Sequence, residues 1–189
     1  MGNKKSTRQL GQYSNSSWKE TVLKVNVSRL ANPRTKMLLQ LMWPQDFADL
    51  STFSIIICEE IIRIDPFWTK MFISSKDPCI TIKGEKTATF RKQALLLVDI
   101  IQTAVKHAED LSQIEDLLIK LGRRHVEYCN ANTHTSHLDA ITIALLNVMH
   151  VRMESHHLDL NDQFQVMAAW KTIGDFICSR IACGMEVLS

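Results

Sequence analysis

Long apolar runs are missing from this 189-residue sequence. No stretch of eighteen apolar residues occurs, so the sequence predicts no helix that spans a bilayer. The N-terminus carries no apolar signal core, so we expect no secretion. The five cysteines, at positions 58, 79, 129, 178 and 183, include no Cys-X-X-Cys pair. This pattern is typical of free thiols in a reducing cytoplasm rather than of a metal site.

Signatures of several other protein classes are also missing. The sequence has no alternating segment of strand type, no internal repeat, no low-complexity tract and no glycine-rich phosphate loop. No Ser-His-Asp or Cys-His pairing can be argued from it, so a binding or redox protein is favoured over an enzyme. The basic cluster is short, terminal and without interleaved aromatic residues, which argues against nucleic acid as a partner. With 46% hydrophobic residues, the chain is long enough for one folded domain.

The charge is unevenly distributed along the chain. Residues 1–31 contain six basic residues and one acidic residue, whereas the remainder contains 16 basic and 19 acidic residues. A basic tail on a mildly acidic body suits a negatively charged partner. We therefore predict two parts, a tail and linker over residues 1–31 and a folded domain over residues 32–189.

The tail begins with a pattern for N-myristoylation, with Gly2 as the acceptor and Ser6 at the required position. One myristoyl chain binds membranes only marginally, so a second signal is needed. Lys4, Lys5 and Arg8 can supply it at an anionic lipid surface. These residues predict a cytoplasmic protein held peripherally on the inner face of the plasma membrane. An unmodified, solvated tail is the alternative.

The body has helical periodicity almost throughout. We predict helices from Pro33 with Asn32 as cap, from about Leu50 to Asp65, over about 87–107, around His125, from His137, and over about 161–185 with Asn161 as cap. Residues 66–72 read as a short turn, and 73–86 and 130–136 as loops. The predicted buried stripes include Met37, Leu38, Leu41 and Met42 in the first helix, and Phe164, Met167, Ala168, Ile173, Phe176 and Ile177 in the last.

His125 lies on an apolar helical face, with Leu121 one turn before it. Haem iron needs one neutral imidazole from the protein and an apolar wall around the porphyrin. The segment 117–125 meets both needs. The alternative is a surface histidine near the end of a helix.

The order of motifs along residues 33–187 resembles the globin family, and in particular invertebrate and nerve-type globins. Leu121-Gly122-Arg123-Arg124-His125 resembles the proximal-histidine helix. Four further anchors fall in register: Trp43, Pro66 followed by Phe72, Phe90 through Leu97, and Ala168-Ala169-Trp170. The resemblance implies an all-α globin fold, a helical sandwich around a haem pocket. The polar composition of the tail, which lies outside the resemblance, predicts a disordered N-terminal extension.

The resemblance also implies haem b (iron protoporphyrin IX) with His125 as the proximal ligand. Phe72 would wedge against the haem face, and Gln93 and Leu97 would take the distal polar and apolar positions. Gln93 can donate a hydrogen bond to dioxygen and is a poor iron ligand. Because no histidine lies between residues 1 and 106, we expect five-coordinate ferrous iron with an open site.

Other pocket positions are less defined by the sequence. Cys58 aligns with the position that faces the bound gas, where a thiol donates only weakly. A one-residue slip would bring Ile57 or Glu59 there, and Cys58 can also be a small buried apolar residue. Arg124 is the candidate partner of a haem propionate, with His134 and His137 as rivals. All three can instead be solvent-exposed.

Three functions remain open. The first is reversible binding of oxygen and other diatomic gases at a membrane, for local sensing or supply rather than bulk transport. The second is a haem redox protein that passes electrons or reacts with nitric oxide, nitrite or superoxide, with a cellular reductase as partner. The third is a haem-free signalling module with a globin fold, against which His125 and Phe72 argue.

Overall fold

The computed structural model describes residues 29–72, 88–128 and 135–186, and this part of the chain is helices and turns without a strand. The predicted tail, the predicted loop 73–86 and most of the predicted connector 130–136 lie outside these residues. The helices are α1 (Pro33–Met42), α2 (Phe47–Ile64), α3 (Thr69–Phe72), α4 (Ala88–Lys106), α5 (Glu115–Tyr128), α6 (Asp139–Glu154) and α7 (Leu160–Glu186). Three 3-10 turns precede α3, α5 and α6: Pro66–Trp68, Leu111–Ile114 and Thr135–Leu138.

Local side-chain chemistry sets the helix ends. Asn32 caps α1, because its side-chain oxygen accepts a hydrogen bond of 2.8 Å from the Arg34 amide. Asp46 caps α2 in the same way through the Asp49 amide, also at 2.8 Å. Asp65 ends α2 and starts the next turn, where Pro66 occupies the first position. The predicted Asn32 cap and the break at Asp65-Pro66 are therefore confirmed.

Asn161 is not the cap of the last helix, so that prediction is wrong. The helix begins one residue earlier, at Leu160, and Asp159 provides the capping oxygen, 2.8 Å from the Asp162 amide. Asp and Asn are comparable capping residues. Both occur within this short polar stretch, so the sequence alone did not decide between them.

Four residues that we expected on buried stripes lie at the surface. Met37 and Leu41 in α1 are exposed, as are Phe164 and Ala168 in α7. The buried face of α1 consists of Thr35, Leu38, Leu39 and Met42, which is a spacing of three, one and three. The reason is that apolar residues cover more than half of the α1 circumference, so the pattern does not fix which side faces inward.

The core forms where α7 packs against α5, α6 and α1. Trp43, at the end of α1, stacks on Trp170 of α7 with ring centroids 5.8 Å apart and meets Phe53 of α2 edge-on at 5.4 Å. Arg34 also holds α1 to α7, since it donates to the buried Asp162 carboxylate, with Nε 3.0 Å from Oδ1. None of the helices in the described part is long and apolar enough to cross a membrane.

Glycine residues allow α5 and α7 to approach each other closely. A Cβ atom on Gly122 would lie 2.0 Å from the Ile181 carbonyl oxygen, and one on Gly184 would lie 2.1 Å from the Ile119 carbonyl oxygen. Both contacts are with backbone, which cannot move aside without moving a helix. The close packing of α5 on α7 therefore sets the position of α5 and of the side chains on it.

Candidate functional site

His125 lies in the last turn of α5, half-buried, with a defined hydrogen bond. Its Nδ1 atom is 2.9 Å from the carbonyl oxygen of Leu121, one helical turn earlier. Because a carbonyl can only accept, Nδ1 carries the proton and Nε2 keeps its lone pair. This is the tautomer that a metal-ligating imidazole needs, with its orientation fixed by the second ring nitrogen.

Burial lowers the pKa of His125 below its usual value, although the hydrogen bond to Leu121 opposes this shift. Desolvation acts in this direction because it penalises the charged imidazolium. The ring is therefore neutral at pH 7. A neutral imidazole with Nε2 available fits the single protein ligand that haem iron requires.

Two helices, α4 and α5, carry the apolar side chains predicted around the haem. Both helices pack on α7, yet among the described residues they are not a closely packed pair with each other. Each helix carries apolar side chains that are only partly buried and pack against the edge of the core. These are Leu97 and Ile100 on α4, and Leu121 and Val126 on α5. Their apolar character suits a porphyrin, which needs a wall without competing polar groups.

Phe72, the aromatic side chain expected against the haem, is fixed by its neighbours. Phe72, at the end of α3, is buried between Trp68 and Phe90, with ring centroids 6.0 and 6.1 Å away. Trp68 is itself fixed, because its Nε1 donates to the main-chain oxygen of His137 at 2.9 Å. The packing therefore joins the short helix α3, the helix α4 and the turn that precedes α6.

The predicted distal residues lie on α4 and α2. Gln93 and Leu97 are half-buried and one helical turn apart, so they project from the same side of α4. Cys58 is fully buried in α2, which packs closely against α4. Complete burial is consistent both with a position behind the gas site and with a small core residue.

The three predicted propionate partners differ in their surroundings. Arg124 is exposed on α5, next to the proposed iron ligand. His137 is engaged elsewhere, because its Nδ1 contacts the Asp65 carboxylate and its ring stacks on Phe67 with centroids 3.9 Å apart. That contact holds the pKa of Asp65 below its ordinary value. His134 lies outside the described residues.

Some elements of the site were not predicted from the sequence. The hydrogen-bond acceptor for His125 is a backbone carbonyl, which no residue type reveals, although the spacing of four from Leu121 to His125 is compatible with it. Ile100 and Val126 were also missed. Ile100 is one turn beyond Leu97, so helical spacing could have found it.

An all-helical fold with a neutral imidazole whose Nε2 is available for a metal is the arrangement expected of a haem protein. A scan against family models matches the globin model to residues 62–181, more than half of the chain. The chain therefore belongs to the globin family, and it is a haem-binding protein. A search of curated proteins returned no match. The matched segment contains His125, Phe72, Gln93 and Leu97, whereas Trp43 and Cys58 lie before it.

Proposed function

We propose that this globin reversibly binds oxygen and related diatomic gases at a haem b whose iron is ligated by His125. The observation that carries the proposal is the Nδ1 contact with the Leu121 carbonyl, which leaves Nε2 as a neutral donor. Haem would supply the iron atom that binds the gas reversibly. No Cys-X-X-Cys-His motif is present for covalent attachment, which supports haem b.

The distal side is assigned from the chemistry of its side chains. Gln93 holds a neutral amide that can donate a hydrogen bond to a gas ligand carrying partial negative charge. Leu97 and Phe72 would keep the distal side of a bound haem apolar. Arg124 pairs with a propionate, because its guanidinium matches a carboxylate and α5 carries it beside His125. The side chain at Cys58 adds a weak donor at most.

The second candidate is a haem redox protein, and the buried Cys58 is the observation that favours it. Since a thiol at position 58 donates only weakly, Gln93 alone would stabilise the bound gas. Oxidation of the iron to the ferric state is then expected to be faster than in a site with two strong donors. Reaction with nitric oxide or superoxide, supported by a reductase, would then be the physiological role. The autoxidation rate distinguishes the two functions, because a gas binder must remain ferrous through many binding cycles.

The proposed location is the cytoplasmic face of a membrane, supported by the Gly2 pattern and by Lys4, Lys5 and Arg8. An anchored globin gains nothing as a bulk carrier, which benefits from free diffusion. Anchoring suits local sensing, local supply or redox signalling. The likeness to invertebrate and nerve-type globins, drawn from residues 109–125 and from Ala168-Ala169-Trp170, is part of this proposal.

The gas-binding proposal is tested by absorbance spectra of the full chain in the ferric, ferrous and carbonmonoxy forms. We expect a five-coordinate ferrous spectrum without added ligand, which converts on addition of oxygen and reverses on its removal. His107→Ala, which removes the histidine on the turn that follows α4, is the control and should give the same spectra as the unmodified chain. A six-coordinate low-spin ferrous form without added ligand contradicts the open site.

A further inference from the structure

A trough runs along one face of α7, between that helix and its neighbours near the start of α1 and the start of α6. It consists of two depressions that share Asp175. The first, about 330 Å³, is lined by Leu30, Thr35, Gln165, Ala168 and Thr172. The second, about 370 Å³, is lined by Ser136, Asp139, Ser179 and Ala182. We refer to the two together as the α7 trough.

The N-terminal segment of the chain enters the described body at this trough. Arg29 and Leu30 are helical, both line the first depression, and Leu30 is only 1% exposed. On a helix that contains Leu30, residues three and seven positions earlier share its face. Those residues are Val27 and Leu23, both apolar. The sequence before Arg29 therefore carries a stripe that matches the buried position of Leu30.

Two further properties of the α7 trough bear on the same occupant. The side-chain oxygen of Gln165 is buried and accepts no hydrogen bond from any described residue. A buried acceptor without a donor is costly, so a donor from a covering segment would relieve it. The lining of the trough is balanced in charge, because Asp139 and Asp175 are matched by Arg29 and Lys171. No net positive charge therefore opposes residues 18–28, which contain Lys19 and Lys24 against Glu20. Asp175 has one partner already, Lys171, at 2.5 Å.

We propose that residues 18–28 extend the helix at Arg29–Leu30 and dock into the α7 trough, with Leu23 and Val27 packed against α7. The occupant is thus the chain's own segment, and residues 1–17 remain as the spacer to Gly2. Since α5 also packs on α7, this docking places the N-terminal segment on the helix that positions His125. The proposal does not depend on haem or gas binding.

Limited trypsin digestion of the full chain tests the docking. A docked segment protects the bonds after Lys19 and Lys24, whereas an undocked one is cleaved rapidly. Ala168→Arg fills the first depression with a long side chain at an exposed helical position. We expect cleavage after these lysines to be at least tenfold faster in this variant. Mass spectrometry of the digest measures the rate. Ala48→Arg, at an exposed position on α2, is the matched control and should digest like the unmodified chain.

A second pair of variants leaves the body untouched. Leu23→Asp should raise amide hydrogen exchange across residues 18–28, whereas Val25→Asp, about 140° away from Leu30 on a helix, should not. Equal effects of the two substitutions, or equal trypsin cleavage in all chains, would overturn the proposal. Protection that disappears on dilution would show instead that a second copy fills the trough, and it would overturn the proposal as well.

Discussion

At the scale of single residues, the haem site depends on how one imidazole is held. The helix directs Nδ1 of His125 to the Leu121 carbonyl, and burial keeps the ring neutral. Sequence reasoning reached His125 because the residue types around it are informative. It could not give the tautomer, because the acceptor is a main-chain atom whose position depends on the last turn of α5.

On the distal side, the proposed hydrogen bond from Gln93 to bound dioxygen can be tested by substitution. Gln93→Leu removes the amide donor while keeping similar volume, so dioxygen should dissociate about 10 to 100 times faster, which corresponds to about 1.5–3 kcal/mol for a hydrogen bond to a charged group. Carbon monoxide carries less charge when bound and should respond less. Flash photolysis and stopped-flow mixing measure both rates.

Gln102→Leu is the control for this experiment, because Gln102 is also half-buried on α4 but lies more than two turns beyond Gln93. A dioxygen dissociation rate for Gln93→Leu within twofold of the unmodified protein would show that Gln93 is not the distal donor. An equal acceleration in both variants would point to a general loosening of α4.

At the scale of helices, the sequence predicts where each helix lies along the chain more accurately than it predicts which face of that helix is buried. The predicted span 87–107 agrees closely with α4, and the predicted span 161–185 agrees closely with α7. Phe164 illustrates the limit, because it falls on an apolar spacing yet is 78% exposed. Its exposure follows from where α7 is covered by other helices, which is a tertiary property that periodicity within one helix does not contain.

The contact between α5 and α7 gives the helix-scale prediction. Gly122→Ala would place Cβ 2.0 Å from the Ile181 carbonyl oxygen, so the two helices must separate. We expect a loss of about 1–3 kcal/mol in the free energy of unfolding, despite the better helix propensity of alanine. For a chain of this size that is a fall of about 2–12 °C in Tm, measured by circular dichroism.

Gly174→Ala is the matched comparison, because its Cβ would meet the side chain of Thr142 at 2.9 Å rather than backbone. A threonine side chain can shift by a few tenths of an ångström more easily than a helix can. The Tm of Gly174→Ala should therefore fall less. An unchanged Tm for Gly122→Ala would mean that α5 does not sit on α7 as closely as described.

At the scale of the whole molecule, a haem-binding body is joined to a basic segment at Arg29. The family of the body could be predicted from residues spread over the helices, because several anchors had to agree in spacing. The α7 trough could not be predicted, since it arises from the way α1, α6 and α7 meet. The predicted division at residue 31 and the acylation of Gly2 remain predictions.

The tail is tested with vesicles that differ only in charge. Chain produced with an N-myristoyltransferase should co-sediment with vesicles containing phosphatidylserine and much less with phosphatidylcholine alone. Replacing Lys4, Lys5 and Arg8 by Gln should weaken binding about 100-fold, at about 1 kcal/mol for each charge. Gly2→Ala should reduce binding to that of the unacylated chain. Equal partition of Gly2→Ala and the acylated chain would rule out the anchor.

The most direct test of the site replaces the proposed iron ligand and then restores its chemistry. His125→Gly leaves a gap in α5 where the imidazole was, and free imidazole can enter it. We expect the variant to bind hemin weakly, and added imidazole to restore both the affinity for hemin and the absorbance spectrum of the unmodified protein. His107→Gly should bind hemin normally without imidazole. If His125→Gly binds hemin with unchanged affinity and spectrum, His125 is not the proximal ligand.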